Sequence, residues 1–463
     1  MKRIIITSYS IIATVALFFL PVTVSAQRVN SLYFLEKTPF HTQWNPAMAP
    51  SRSGMGLGIS NMSFSLQSDL ALNEVIFPGE NGQKPYTFLD PKADANAFLS
   101  GLGDVSSLKL NTSMDIFNLG IRILNNYFTF HSGISFDAGV GVPKDLFKLI
   151  MLGMDENSTS TPFDLTGMNI NAMSYAKVGV GYSMKVGKIF SVGINANYLQ
   201  GIADMRLGFD ELTIDAGQTK WDVTSKGYIQ MAAPDFAEFQ YSEDSYFNGL
   251  DFDTKSLTSG SIPKSGNGFS LDLGVTARPL PFLTLSAAVI DMGSIKWDPA
   301  FVQRAKSNAS FSYEGVALNE SAKENMSPET IENLEEMLHF EKDNSLEPYT
   351  SKLTTKLNIG AEAGILNNKI SLGVLSQTGF AENGTYQDVM VSANLKPSSI
   401  IQGALTYSLL HGEMSALGAA VNCKLLFLNI FMAADYIPLK VTPQYLPINN
   451  SYYNFQFGVN MMF

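Results

Sequence analysis

The sequence predicts an all-β fold, a transmembrane antiparallel β-barrel of about 14 strands, with about 16 as the alternative count. An N-terminal plug segment and short helices in long external loops complete the expectation. Three observations carry it. Apolar residues recur at every second position in segment after segment. The alternating segments are roughly 9–13 residues long, against about 5–6 for strands of soluble proteins and about 9–11 for tilted membrane strands. Beyond the first residues, no run approaches the roughly 20 apolar residues of a spanning helix.

The chain begins "MKRIIITSYSIIATVALFFLPVTVSAQ". Lys2 and Arg3 form a basic start, an apolar stretch runs from Ile4 to Leu20, and Val24-Ser25-Ala26 offers a small-residue cleavage site. Residues 1–26 are read as a secretory signal peptide, so the mature chain begins at Gln27. An exported chain without a spanning helix is either soluble or a barrel, the other arrangement that pairs every backbone group in lipid. Losing Lys2 and Arg3 takes the net charge from -11 to -13, which argues against nucleic acid as a partner. The single Cys423 cannot form an intramolecular disulfide. Charged residues make up only 16% and aromatics 11%; low charge with many aromatics suits a lipid-facing wall.

The alternation is explicit. Phe269, Leu271, Leu273 and Val275 oppose Ser270, Asp272, Gly274 and Arg278. Phe190, Val192, Ile194 and Tyr198 oppose Ser191, Gly193, Asn195 and Asn197. Leu357, Ile359 and Ala361 oppose Lys356, Asn358, Gly360 and Glu362. Val421, Cys423 and Leu425 oppose Asn422 and Lys424. Phe128, Phe130, Ile134 and Phe136 oppose Thr129, His131, Gly133, Ser135 and Asp137. Each set shares one face of a strand. The polar face carries glycines and single charges, of which His131, Asp137, Asp272, Arg278, Lys356, Glu362, Asp388, Lys424 and Asp435 are placed in the lumen. In "LKLNTSMDIFNLGIR" the parity changes, and a bulge near Ile116 would restore the phase.

Short connections at Gly187-Lys188, Pro279-Leu280-Pro281, Asn367-Asn368 and 396–399 alternate with long ones at 142–167, 233–267 and 293–348. The long ones are assigned to the outside of the cell. One holds "MSPETIENLEEMLHFEK", where Ser327 as N-cap and Pro328 at N1 start a short amphipathic helix. Another holds the apolar stretch 145–154, read chiefly as a helix packed on the rim. Segments 54–66 and 203–232 leave the strand count open. The chain ends with Phe455, Phe457, Val459, Met461 and Phe463 on one face. The last strand is expected to close on the first.

Residues 27–53 precede the first strand and include "YFLEKTPFHTQWNPAMAP". They are too rich in turn formers for a lipid-facing strand, and a lumen of about 14 strands is wider than its own side chains fill. They are the plug, with Trp44, Asn45, Pro46 and Ala47 at its centre, and residues 54–463 are the barrel. This arrangement resembles an uncharacterised family of Bacteroidota outer-membrane barrels, a domain of unknown function, over nearly the whole mature chain. Asn45-Pro46-Ala47 resembles the N-terminal Asn-Pro-Ala of FadL-like hydrophobic-compound transporters, and that resemblance implies 14 strands, a plug and a greasy cargo. The terminal Phe463 and its alternating predecessors resemble the signal that barrels present to their insertion machinery. Asn-Pro is also a common turn initiator, so a plain turn stands beside the family reading.

No catalytic or cofactor chemistry is legible. His41, His131, His339 and His411 show no metal-ligand spacing. The glycine-rich "GMGLG" and "GVGYSMKVG" lack the helix a phosphate loop needs. His131 and Ser135 share a strand face but stand about 13 Å apart, too far for a nucleophile and its base. The expectation is therefore a non-enzyme without cofactor or metal. It is a plugged transporter or channel of the Gram-negative outer membrane, for small solutes including hydrophobic ones. The alternative is a structural barrel that anchors an envelope or secretion-system protein without transport.

Overall fold

The computed structural model describes residues 4–7, 31–35, 40–50, 54–71, 75–77, 86–88, 90, 92–154, 158–234, 236–242, 245–253, 262–314, 339–345, 347–382, 384–398, 400–410, 414–435 and 450–463. The expected helix near Ser327 lies outside the described residues. Of the expected signal peptide, Ile4–Thr7 is described, as a strand along Phe247–Phe252; a cleaved chain would not keep that pairing.

The long strands are β1 (Gly54–Ala71), β2 (Val105–Ile123), β3 (Asn126–Pro143), β4 (Asn169–Val186), β5 (Phe190–Gly217), β6 (Lys220–Ala232), β7 (Gly266–Leu280) and β8 (Leu283–Trp297). They continue as β9 (Val302–Glu314), β10 (Thr355–Ile365), β11 (Ile370–Ala381), β12 (Gly384–Leu395), β13 (Ile401–Leu410), β14 (Met414–Leu425), β15 (Leu428–Asp435) and β16 (Asn450–Met462). All except β6 and β9 form one closed antiparallel barrel of 14 strands. The ring runs in chain order apart from the steps from β5 to β7 and from β8 to β10. It closes between β16 and β1, where Met462 faces Gly56 and the Phe463 amide donates to the Met55 carbonyl at 2.9 Å.

The parity read from the sequence sets the two faces. Phe269, Leu273, Phe190, Ile359, Val421, Phe128 and Phe455 are exposed on the outside, while Asp272, Asn195, Asn358, Asn422, His131 and Asn454 are buried inside. Water would not tolerate so wide an apolar belt on a lone soluble molecule. The register between β2 and β3 slips between Asp115 and Phe117, which places the bulge at Ile116.

The expected strand lengths are corrected on one side of the ring. β1 to β4 run 18 or 19 residues and β5 runs 28, more than a membrane crossing uses. The surplus projects beyond the rim at the end that carries the long loops. There the second half of β5 leaves β7 and pairs with β6, which pairs with β9. This projecting sheet resolves segment 203–232 and accounts for the alternative count: among the described residues there are 16 long strands, and 14 form the wall. It also corrects the loop assigned to 293–348, which contains the end of β8 and the whole of β9. "VQRAKSNASFSYE" has no continuous greasy face, since Gln303 and Ser307 interrupt the side that carries Ala305, Ala309, Phe311 and Tyr313, so it gives no membrane-strand signal. Its Ala305 is small and buried in a cluster with Ile229, Met231, Phe239 and Phe340, and its buried Ser307 donates its hydroxyl to the Ser225 carbonyl at 3.4 Å.

The apolar stretch at 145–154 forms helix Lys144–Met151. Its Phe147 and Leu149 are buried, and Phe147 meets Phe98 of helix Ala95–Gly101 edge to face at 5.5 Å. This is the rim-packing role.

Candidate functional site in the barrel lumen

Residues 31–35 and 40–50 lie inside the barrel. Leu32, Phe34, Leu35, Phe40 and Trp44 are at most 5% exposed and pack against Leu375, Met390, Ala404, Ala420, Phe431 and Ala433 on the inner faces of β11 to β15. Phe40 meets Phe431 edge to face at 5.8 Å, and Tyr33 stacks on Trp44 at 6.5 Å. Each such side chain contributes about 1.5–3 kcal/mol by leaving water. A short helical turn, His41–Trp44, ends where Asn45 turns extended at φ -155°. Pro46 requires this, because its ring disfavours a helical residue before it.

Asn45 is fully buried and works twice. Its Oδ1 accepts from the Ala47 amide at 2.9 Å, the turn that Asn-Pro promises, and its Nδ2 donates to the Ala287 carbonyl of β8 at 3.2 Å. The wall reciprocates. Asn195 Nδ2 donates to the Thr42 carbonyl at 2.9 Å, Asn358 Nδ2 to the Trp44 carbonyl at 3.1 Å, and Arg122 Nε to the Pro50 carbonyl at 2.9 Å. Ser31 bonds Asp435 through its hydroxyl and its amide, and Asn454 Nδ2 donates to the same carboxylate at 2.8 Å. A Cβ at Gly193 would lie 2.3 Å from the Pro46 backbone, and one at Gly274 would lie 2.1 Å from Asn45 Oδ1. These two inner-face glycines therefore make the room for Asn45-Pro46-Ala47.

The opposite half of the lumen is polar. His131 Nε2 shares a hydrogen bond with Asn197 Oδ1 at 2.8 Å. Asp137 accepts from Asn111 Nδ2 at 3.0 Å. Asp272 accepts from Asn195 and Asn197 side chains at 3.1 and 3.2 Å, and from the Asp291 amide at 2.8 Å. Lys356 Nζ stands 3.2 Å from Asp291 Oδ2. Between Gln43 of the segment and Asp115, Asp137, Lys177, Asp291 and Lys356 lies a cavity of about 50 Å³. Asp291 has φ 58°, a left-handed conformation that Asp tolerates at some cost.

The remaining sequence-derived positions are spread out. Glu362 pairs with Lys396 at 2.6 Å near the short-turn end. Arg278 is exposed at that end, with Nε donating to Thr284 Oγ1 at 3.3 Å. Lys424 is half-buried near the β14–β15 turn, and Asp388 is buried on β12. Phe455, Phe457 and Phe463 are exposed on the outer face, with Val459 and Met461 half-buried beside them. Both ion pairs use a partner absent from the sequence-derived set, Asp291 and Lys396. Asp115, Lys177 and Asp291 were missed because two of them adjoin bulges, where parity fails. The signal for Asp291 was a lone acid inside the apolar run "AAVIDMG". Among the described residues no group of three or more His, Cys, Asp or Glu could hold a metal ion.

A larger cavity of about 230 Å³ opens at the short-turn end, between Tyr33 and Phe34 of the segment and Lys185, Lys188 and Arg278 of the wall.

A closed antiparallel barrel with a chain segment held in its lumen is the class that fold and site define. The chain belongs to the DUF5723 family, a family of unknown function, whose model matches residues 46–435. A comparison with curated proteins finds no match. Among solved structures, the chain is similar to the Ralstonia pickettii toluene transporter TbuX, with 10% identity, 92% of this chain and 94% of that chain covered, and a TM-score of 0.44. It is similar to a Pseudomonas aeruginosa FadL homologue, with 10% identity, 95% and 99% covered, and a TM-score of 0.40. The translocator domain of the Neisseria meningitidis autotransporter NalP scores 0.32 at 8% identity, with 89% and 90% covered. Likeness at this level concerns the course of a barrel wall, not a cargo.

Proposed function

We propose that this protein is an outer-membrane channel or transporter for small solutes, hydrophobic ones included, whose lumen is plugged by residues 27–53. The observation that carries this reading is the inserted segment, bonded by its backbone to β2, β5 and β10 and admitted by glycines at 193 and 274. A segment that is separate from the wall strands and borders a polar half-lumen suits a gated path. In this reading residues 1–26 are removed on export, the long loops face outward, and Phe455 to Phe463 engage the insertion machinery. The protein is not an enzyme.

Proteoliposome uptake tests the reading. Entry of a panel of neutral, charged and apolar solutes is measured for the mature chain and for Asn45→Ala. Entry that exceeds protein-free vesicles for at least one solute, and rises in the variant, supports a plugged path. Entry at the protein-free rate for both favours the anchoring barrel instead.

A further inference from the structure

The short connections of the wall carry an apolar side chain where a turn in water would carry a polar one. Among the described residues six of them join neighbouring wall strands, at 124–125, 187–189, 281–282, 366–369, 396–400 and 426–427. Each holds an exposed large apolar residue: Leu124, Ile189, Phe282, Leu366, Ile400 and Leu426. Leu124 and Leu426 are each 87% exposed, and Leu366 is 69% exposed. Turns in water favour Gly, Asn, Asp and Pro. The three leucines also hold a left-handed backbone, with φ 55° at Leu124, 50° at Leu366 and 55° at Leu426, which a bulky side chain adopts at a cost. Gly187, Asn367 and Asn368 hold the same conformation in the same set of connections more readily. Neither backbone geometry nor contact with water therefore accounts for leucine at these tips.

We propose that the short-turn end of the barrel is seated in a phospholipid leaflet, with these six side chains in the acyl region just beneath the phosphates, and is not a docking face for a protein. The inference rests on the reading of the barrel as membrane-spanning. Three observations select lipid as the occupant. The tips continue the outer apolar belt: Ile123, Ile365 and Leu425 end the outward rows, are exposed, and directly precede Leu124, Leu366 and Leu426. Strands β10 to β15 have only 8 to 12 residues, close to the about 9–11 of a tilted crossing, so no surplus length carries their tips clear of the hydrocarbon. The tips also lie all around the ring, from the β2–β3 connection to the β14–β15 connection. A leaflet meets the whole circumference, whereas a protein partner covers a patch. The charges agree with this seat. The six connections contain Lys188, Lys369 and Lys396 and no Asp or Glu. Lys396 is held by Glu362, while the exposed Lys188 and Lys369 can lay their stems along apolar surface and extend their ammonium groups to the phosphates. A barrel seated this way would have to meet any anchored protein at its long-loop end.

Tryptophan fluorescence of the refolded mature chain in phosphatidylcholine vesicles provides the test. Tryptophan is placed singly at two tips, Phe282→Trp and Leu366→Trp, and at the middle of the outer face of β13, Leu405→Trp. The unsubstituted chain supplies the background, since Trp44, Trp221 and Trp297 are at most 5% exposed. Phe282 has no left-handed backbone, so Phe282→Trp serves if Leu366→Trp misfolds. Lipid brominated near the glycerol end of its acyl chains should quench the added emission by about half or more at both tips, as for tryptophan at a membrane interface, and iodide in the water should quench it little. Quenching at Leu405→Trp by bromide, with tips quenched by iodide alone, would overturn the proposal and leave the spanning barrel intact. Absence of bromide quenching at all three positions would overturn the proposal together with the spanning reading.

Discussion

Asn45 and the two glycines that face it hold the lumen segment in place. Replacing Asn45 by Ala removes its bond to the Ala287 carbonyl and the turn bond to Ala47, at a cost of about 1–3 kcal/mol for buried polar groups left unpaired. Gly274→Val pushes a methyl-bearing carbon into Asn45 and Pro46, an overpacking of about 1–3 kcal/mol. Both should raise amide hydrogen exchange over 40–48 by about tenfold or more, while exchange in β10 to β14 stays unchanged; equal exchange in the segment would show that these contacts do not seat it. Asn45-Pro46-Ala47 was legible because Asn-Pro constrains the backbone by itself. Gly193 and Gly274 were legible only as small inner-face residues, since what they make room for is more than 140 positions away in sequence. The apolar lining at Leu375, Met390 and Phe431 was not legible. Those residues stand on the face that parity marks as inner, and an inner apolar position reveals itself only when its partner is known.

Strands and their irregularities carry the next level. The bulge at Ile116 leaves both Ile116 and Phe117 exposed on the outside. Deleting Ile116 would carry one parity through the whole of β2 and turn either Phe117, Leu119 and Ile121 or Leu108, Leu110 and Met114 to the wrong face. The deletion should abolish the heat-modifiable gel mobility of the folded barrel; a retained shift would mean that the bulge is dispensable. In the projecting sheet, Lys306 of β9 holds Asp343 at 2.7 Å. Partial burial by itself would raise that carboxyl, but the Lys306 ammonium and the Ser345 amide and hydroxyl hold it down to about 2. A depressed carboxyl stabilises above its unfolded value near 3.9 and loses that contribution as pH falls towards about 2. Exchange at the Glu341 and Lys342 amides should therefore be constant, once corrected for intrinsic rates, from pH 7 to about 4 and rise below; in Asp343→Asn the rise should disappear. The wall strands were legible because lipid on one side and a wet lumen on the other impose period two. The projecting sheet was not, because the apolar face of β9 is broken: Ala305, Ser307 and Ala309 are small, and only Phe311 and Tyr313 at its end are large.

At the scale of the molecule, a barrel of 14 strands is too wide to fill with its own side chains, and the chain supplies the filling from its N-terminus. The two halves of the lumen differ in kind. β11 to β15 present apolar groups to the segment, while β2 to β10 present Asp115, Asp137, Asp272, Asp291, Lys177 and Lys356. Apolar contact seats the segment on one side, and the polar side borders a cavity that water or solute can share. Single-channel conductance of the mature chain in a planar bilayer, with and without residues 28–53, tests the plug most directly. Silence from the intact chain and steady conductance steps from the truncated one are predicted. Steady steps from the intact chain, or silence from a truncated chain that keeps its heat-modifiable mobility, would contradict it.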